Sequence, residues 1–277
     1  MVFILFSIVL LSRCTSNKIS DSNLEEVIKP ETTFYKGMDL SFQSELETYN
    51  IQYKDSNGNP IDVLTYAASN GTNLIRLKLW HTPQDGWNSL AEVKAYAKRV
   101  KNNSDYWADP GKQTPPIAWQ NMTNEQIRIA IYNYTKDVVQ QLKAQNTLPK
   151  IIQIGNETDS GFLWNYGKVW NGFSNNWDNY VVLINEAVKA IREVDTNNSI
   201  KIMLHHSSVE KAIYFFNKLK PYNIDFDIIG LSYYPQFQIK DLSLVKSKIT
   251  ELALNFNKDI LIAEVAYPFT LDWNDNS

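Results

Sequence analysis

The sequence predicts an α/β fold of the (β/α)8 barrel class, assembled from fewer than eight strands. From Phe34 onward, short apolar runs alternate with longer segments of helical period, the pattern of a parallel sheet layered with helices. Most of the runs are apolar at successive positions, as strands buried on both faces are. Polar and ionisable residues stand at the ends of these runs, positions that converge on one face of a barrel. An open doubly wound sheet accepts the same alternation, but no glycine-rich strand-to-helix turn marks a nucleotide site.

Val2 to Leu11 is an apolar run, interrupted only by Ser7, with the length of a signal-peptide core and too short to span a bilayer. It ends in Leu11-Ser12-Arg13-Cys14, which resembles a bacterial lipoprotein processing site. Residues 1–14 therefore read as an export leader, and Cys14 as the candidate lipid anchor. Thr15 to Thr33 is polar, charged and aperiodic, a flexible tether. Strands are expected at Tyr35–Ser41, Asn73–Trp80, Lys150–Gly155, Ile200–His205, Phe226–Tyr233 and Asp259–Glu264. Helices are expected at Ile61–Asn70, Leu90–Lys101, Asn124–Gln145, Trp177–Val194, Val209–Leu219 and Asp241–Phe256. In the third helix, Ile127, Ile131, Tyr134, Val138 and Leu142 form one stripe. The alternation runs on without a linker, so 34–277 reads as one domain, and six strands fall short of a closed barrel.

The 27 basic and 30 acidic residues, with pI near 5.7, leave no basic footprint for nucleic acid. The lone Cys14 excludes an internal disulfide, and His81, His205 and His206 are too few for a zinc site. Chemistry is therefore expected to rest on carboxylates, with no cofactor implied and a monomeric chain.

Glu157 ends the apolar run IIQIGNE and Glu264 ends DILIAEV, so two separate βα units deliver a carboxylate to one face. Ionisable groups at the ends of buried strands are costly unless they are used or paired. Two strand-end salt bridges satisfy that condition. So does a pair of carboxylates about 5–5.5 Å apart across a sugar, one protonated and one ionised, the apparatus of a retaining glycosidase. The eight tryptophans favour the second reading. Trp80, Trp87, Trp107, Trp119, Trp164, Trp170, Trp177 and Trp273 all fall on the expected C-terminal side of the strands, where indole faces stack on sugar rings. Two or three of them are expected merely to pack loop on loop. Asp39, Arg76, Asn156, His205 and Tyr233 are further polar residues at strand ends.

The segments GMDLS, NLIRLKLW, DYWADPGKQT, IIQIGNE, GFLW, IMLH, DFDIIGLSYYP and ILIAEVAYPFT together resemble glycoside hydrolase family 53, the arabinogalactan endo-β-1,4-galactanases. The resemblance runs from Phe34 to the last residue, and WADPGKQ and GLSYYP are its most specific strings. It implies a (β/α)8 barrel and endo-hydrolysis of β-1,4-galactan, a polysaccharide substrate, with retention at the anomeric carbon. By position in the motifs, Glu157 would be the acid/base and Glu264 the nucleophile. Asn156 would hold the sugar hydroxyl beside the reacting carbon, and Arg76 and Tyr233 would hydrogen-bond the nucleophile. Asp39, Trp107, Asp109, Lys112, Trp164 and His205 would line the cleft.

The chain departs from the family pattern in two places. Lys101-Asn102-Asn103 runs directly into Ser104-Asp105-Tyr106-Trp107, with no apolar run for a third strand, and the sequence ends at Ser277, before an eighth. An incomplete barrel is therefore expected, open on either side of its first two strands and poorly active. An inactive galactan-binding remnant and a related retaining β-glycanase are the alternatives. Some family members hold calcium after the seventh strand, where Asp272 and Asp275 lie, but DWNDNS does not support a coordination shell.

Overall fold

A computed structural model describes residues 34–100, 113–169 and 175–266. Six parallel strands carry the fold: β1 (Gly37–Asp39), β2 (Leu74–Arg76), β3 (Ile151–Ile154), β6 (Lys201–His206), β7 (Ile228–Tyr233) and β8 (Asp259–Val265). A small antiparallel hairpin, β4 (Gly161–Phe162) and β5 (Gly167–Lys168), follows β3. The helices are α1 (Gln43–Thr48), α2 (Val63–Ser69), α3 (Leu90–Val100), α4 (Asn124–Ala144), α5 (Trp177–Val194), α6 (Ala212–Leu219) and α7 (Leu242–Phe256).

All six expected strands and all six expected helices are present. β2 stops at Arg76 rather than Trp80 because its partner β1 ends at Asp39, opposite Arg76. α1 was not expected, since six residues are too short to display a helical stripe.

The strands form two parallel sheets, β1-β2 and β3-β6-β7-β8. Among the described residues no ladder joins β2 to β3 or β8 to β1, so the curve of strands is open on both sides of the first pair. The intervals where further strands would fall, 101–112 and 267–277, lie outside the described residues.

Period-two alternation divides each strand between two environments. Leu74, Ile151, Met203 and Ile228 point inward and pack with Tyr35, Leu261 and Ala263 as one apolar layer. The intervening Ile75, Ile152, Ile154, Ile202, Leu204, Ile229 and Leu231 join the main core between sheet and helices. In α4, Ile127, Ile131, Val138 and Leu142 are fully buried, while Tyr134 is half-buried against the same core. Thr123 starts that helix with a capping box, its hydroxyl accepting from the Gln126 N–H and its own N–H donating to the Gln126 side chain.

The two faces of α4 should respond differently to truncation. Ile131→Ala should cost about 2–5 kcal/mol of stability, whereas Ile129→Ala, on the half-exposed face, should change it by less than about 0.5 kcal/mol. Denaturant melts of the two variants measure the difference.

Candidate active site

The C-terminal ends of β2, β3, β6, β7 and β8 converge on a small set of polar side chains. After β3 the chain must turn sharply, and Gly155 makes the turn with φ +71. A Cβ there would meet Thr158 Cγ2 at 2.5 Å, so only glycine fits. Glu157 follows in a left-handed conformation, φ +45, which costs a non-glycine residue of order 1–3 kcal/mol and is tolerated where surroundings enforce it. The enforcing contacts include the Gln113 amide, which donates to the Asn156 carbonyl at 2.9 Å.

Glu264 reaches the same place by a different device. In β8, Ile260 and Ile262 face the helices while Leu261 and Ala263 face the interior, so strict alternation would send Glu264 outward. A register shift opposite Leu231 and Ser232 pairs Leu231 with Ile262 but Ser232 with Glu264, leaving Ala263 as the extra residue. This bulge reverses the parity and turns the carboxylate inward. There Arg76 Nη1 lies 2.6 Å from Glu264 Oε1, and the Tyr234 hydroxyl donates to Oε2 at 2.8 Å. Arg76 Nη2 also donates to Asn156 Oδ1 at 3.0 Å, tying β2 to the turn that holds Glu157.

The two carboxyl groups occupy opposed electrostatic environments. Burial, reinforced by the negative charge of Glu264, pushes Glu157 up to about 7 despite a hydrogen bond from the Ser232 hydroxyl. Burial acts on Glu264 in the same direction but is overcome by Arg76 foremost, with Lys78 and the Tyr234 hydrogen bond, which hold it well below the usual carboxylate range. One group is thus poised to hold a proton and the other to stay ionised. His205 is fully buried, and burial brings its imidazole down to about 3, so it is neutral.

Six of the residues singled out from the sequence meet here: Asp39, Arg76, Asn156, Glu157, His205 and Glu264. Asp39 Oδ2 lies 3.5 Å from Arg76 Nη1, and its other oxygen accepts from the Ser41 hydroxyl at 2.5 Å. A cavity of about 640 Å³ opens beside Asp39, Arg76, Tyr234 and Glu264 and runs down into the apolar layer between β1 and β8.

Tyr233 is a correction. It shares outward parity with Ile229 and Leu231, is buried in the helix-facing core and donates to the Ile239 carbonyl at 2.8 Å. The hydroxyl that reaches Glu264 belongs to Tyr234, which lies past the strand end and turns back. Trp164 lies on another flank. Half-buried, it lines a separate cavity of about 440 Å³ with Gln120, Asn165, Tyr166 and Asn179, and Lys168 Nζ sits 4.2 Å from its ring centroid.

Three of the described tryptophans are packing residues. Trp80, Trp119 and Trp177 are buried, and Trp177 opens α5 against Tyr180 and Phe215 in the outer core. Trp107, Asp109, Lys112, Trp170, Asp272, Trp273 and Asp275 lie outside the described residues. Among the described residues no group of three His, Cys, Asp or Glu could hold a metal ion.

Sequence reasoning missed Lys78, Gln153, Ser232 and Tyr234. Three of them were within reach of a parity argument: Lys78 shares the inward register of Leu74 and Arg76, Gln153 that of Ile151, and Ser232 that of Ile228. Each is a polar residue at an inward position of an otherwise apolar strand. Tyr234 carries no such signal, because it follows the end of β7.

Since the Glu264 anion helps to raise Glu157, Glu264→Gln should bring Glu157 below about 7. The carboxyl 13C shift of Glu157, followed against pH in both proteins, reads the change.

Residues 35–277 match the model of glycosyl hydrolase family 53. The arabinogalactan endo-beta-1,4-galactanase of Cellvibrio japonicus is 35% identical over 259 residues, 88% of this chain and 68% of that protein. An arabinogalactan endo-beta-1,4-galactanase of Thermothelomyces thermophilus is 32% identical over 254 residues, 85% of this chain and 75% of its own length. Among solved structures, the family 53 catalytic domain of Ignisphaera aggregans superposes with a TM-score of 0.78 at 32% identity, covering 89% of this chain and 72% of that one. A family match over most of the chain, and a solved domain that superposes on its strands and helices, establish that this protein belongs to glycosyl hydrolase family 53.

Proposed function

We propose that this chain hydrolyses β-1,4-galactan, the side chain of pectic arabinogalactan, at internal linkages and with retention, Glu157 acting as acid/base and Glu264 as nucleophile. The observation that carries the assignment is the opposed surroundings of the two carboxyl groups, Glu264 held by the Arg76 guanidinium and the Tyr234 hydroxyl, Glu157 buried against Ser232 and facing the Glu264 anion, which push the first down and the second up. An ionised Glu264 attacks the anomeric carbon while the glycosidic bond breaks and Glu157 passes its proton to the leaving oxygen. The glycosyl-enzyme ester is then opened by water, whose proton returns to Glu157 as Glu264 departs. Arg76 keeps the nucleophile ionised between these steps, Asn156 is assigned to the hydroxyl next to the reacting carbon, and Asp39 to the cleft wall. The leader 1–14 is read as an export signal with Cys14 as its lipid anchor, which would put a monomeric enzyme where a polysaccharide can reach it. Reducing-sugar release from β-1,4-galactan tests the activity, since a binding remnant would be retarded in a galactan gel and release nothing.

Glu157→Gln removes the proton donor and leaves the nucleophile. Galactan hydrolysis should fall by about 100-fold or more, while glycosylation by an aryl galactoside with a good leaving group should fall much less. Equal losses on the two substrates would overturn the acid/base assignment.

The pH dependence of kcat/KM should be bell-shaped. Activity requires Glu157 protonated, so it should decline above about 7, and Glu264 ionised, so the acid limb should lie far below the usual carboxylate range. The stability that Glu264 contributes is likewise present above its unfolded value and lost as pH falls toward about 2. A rate profile paired with thermal melts at each pH separates the two effects.

A further inference from the structure

Ser232 is fully buried behind the carboxyl group of Glu157, and its hydroxyl stands between two groups that compete for one hydrogen. Its Oγ contacts Glu157 Oε1 on one side and His205 Nε2 at 3.1 Å on the other. Which way the hydrogen points depends on the tautomer of His205. That ring is neutral and carries a single N–H.

The surroundings of Nδ1 decide the tautomer. Gln153 Nε2 approaches Nδ1 at 3.1 Å and the Glu157 N–H points at it from 3.4 Å, and both are donors. The orientation of the Gln153 amide is set by Gly155, whose carbonyl accepts from the same Nε2 at 2.8 Å. Asn156 Oδ1, at 3.0 Å from Nδ1, would favour a proton there, but it already accepts from Arg76 Nη2, and with one Gln153 hydrogen on the Gly155 carbonyl the other is left for Nδ1. Nδ1 is therefore the acceptor and Nε2 carries the hydrogen. The Nε2–H then donates to Ser232 Oγ, and the serine hydrogen is left for Glu157 Oε1.

We infer that Ser232, oriented by His205, is a positioning residue that occupies Oε1 of Glu157 and so assigns the catalytic proton to Oε2. The inference rests on the acid/base reading of Glu157. With Oε1 engaged as an acceptor, the proton resides on the oxygen left free. When Glu157 has given it up, the serine hydrogen bond supports the anion until water returns a proton. The arrangement also sets how tightly the acid holds its proton, against the charges that face it: Glu264 from β8, Arg76 from β2, Asp159 on its own turn, and the Tyr234 hydroxyl beyond β7. Gln153, His205, Ser232 and Glu264 stand on four consecutive strands of the sheet, β3, β6, β7 and β8. From β3 to β7 each is two residues further along than the partner of the one before, and Ser232 pairs directly with Glu264. The relay is thus part of the stagger of the sheet rather than a property of a loop.

The test compares wild type, Ser232→Ala and Ser232→Thr on galactan across pH. Loss of the hydroxyl removes a hydrogen bond that favours the anion, so Ser232→Ala should move the alkaline limb upward by about one pH unit and lower kcat about tenfold, with KM within about twofold. Ser232→Thr keeps a hydroxyl and should restore the wild-type limb. An alkaline limb in Ser232→Ala at its wild-type position, whatever the rate, would overturn the proposal. Nitrogen-15 spectra of His205 in the unmodified protein give a measurement that no folding defect can obscure. Protonation at Nε2 is expected, and protonation at Nδ1 would overturn it. Glu157→Gln in the same assays tells the two levels apart. If that variant keeps wild-type kcat on galactan, the acid/base reading fails and this inference with it. If it is impaired while Ser232→Ala keeps the wild-type limb, the relay alone is refuted.

Discussion

Arg76 is the pivot on which the site turns. Its guanidinium is nine-tenths buried, meets Glu264 of β8 at 2.6 Å, and reaches Asn156 after β3 at 3.0 Å. Those two contacts cross the two openings in the ring of strands, where no ladder pairs β2 with β3 or β8 with β1 among the described residues. A buried ion pair is a weak source of net stability, because desolvation offsets most of the attraction, yet removing one partner strands the other charge at a cost of about 3–5 kcal/mol. The pair therefore acts less as glue than as a geometric constraint. The two sheet fragments are held at the separation that satisfies one guanidinium.

The same cation divides the labour between the two carboxyl groups. Both are buried, and burial alone would raise both. Arg76 is in direct contact with Glu264 and only a distant neighbour of Glu157, so the first is driven down and the second, facing the resulting anion, is driven further up. The contrast between the two carboxyl groups thus comes from asymmetrically placed charge, Arg76 foremost, rather than from any difference in the residues themselves. Neutral His205 fits this economy. A second cation beside Glu157 would favour its anion and undo the upward push of burial.

Two backbone devices bring the carboxyl groups into these environments. Left-handed turns at Gly155 and Glu157 fold the end of β3 over the sheet, and the bulge at Ala263 reverses the parity of β8. Strain and an interrupted ladder are costs at both places, and each falls where a functional side chain must be re-aimed. The rest of the sheet follows ordinary alternation, which is why its inward residues form a regular apolar layer beneath the site.

The sequence by itself determined the strands, the helices, their parallel order and the two glutamates, because those follow from the spacing of apolar runs and from the cost of carboxylates at buried strand ends. The GNE and AEV strings marked Glu157 and Glu264, while the interval after α3 that lacks an apolar run lies outside the described residues. Side-chain direction was legible wherever alternation is strict, as with Lys78, Gln153 and Ser232. It failed where the period breaks. Tyr233 and Tyr234 are chemically the same, and only the end of β7 decides that the second reaches Glu264 while the first enters the core. Which tryptophans pack is likewise decided only in three dimensions, as with Trp177, which opens α5 in the outer layer. Charge balance, tautomer and pairing depend on atoms brought together from five strands, and no local pattern in the chain encodes those distances.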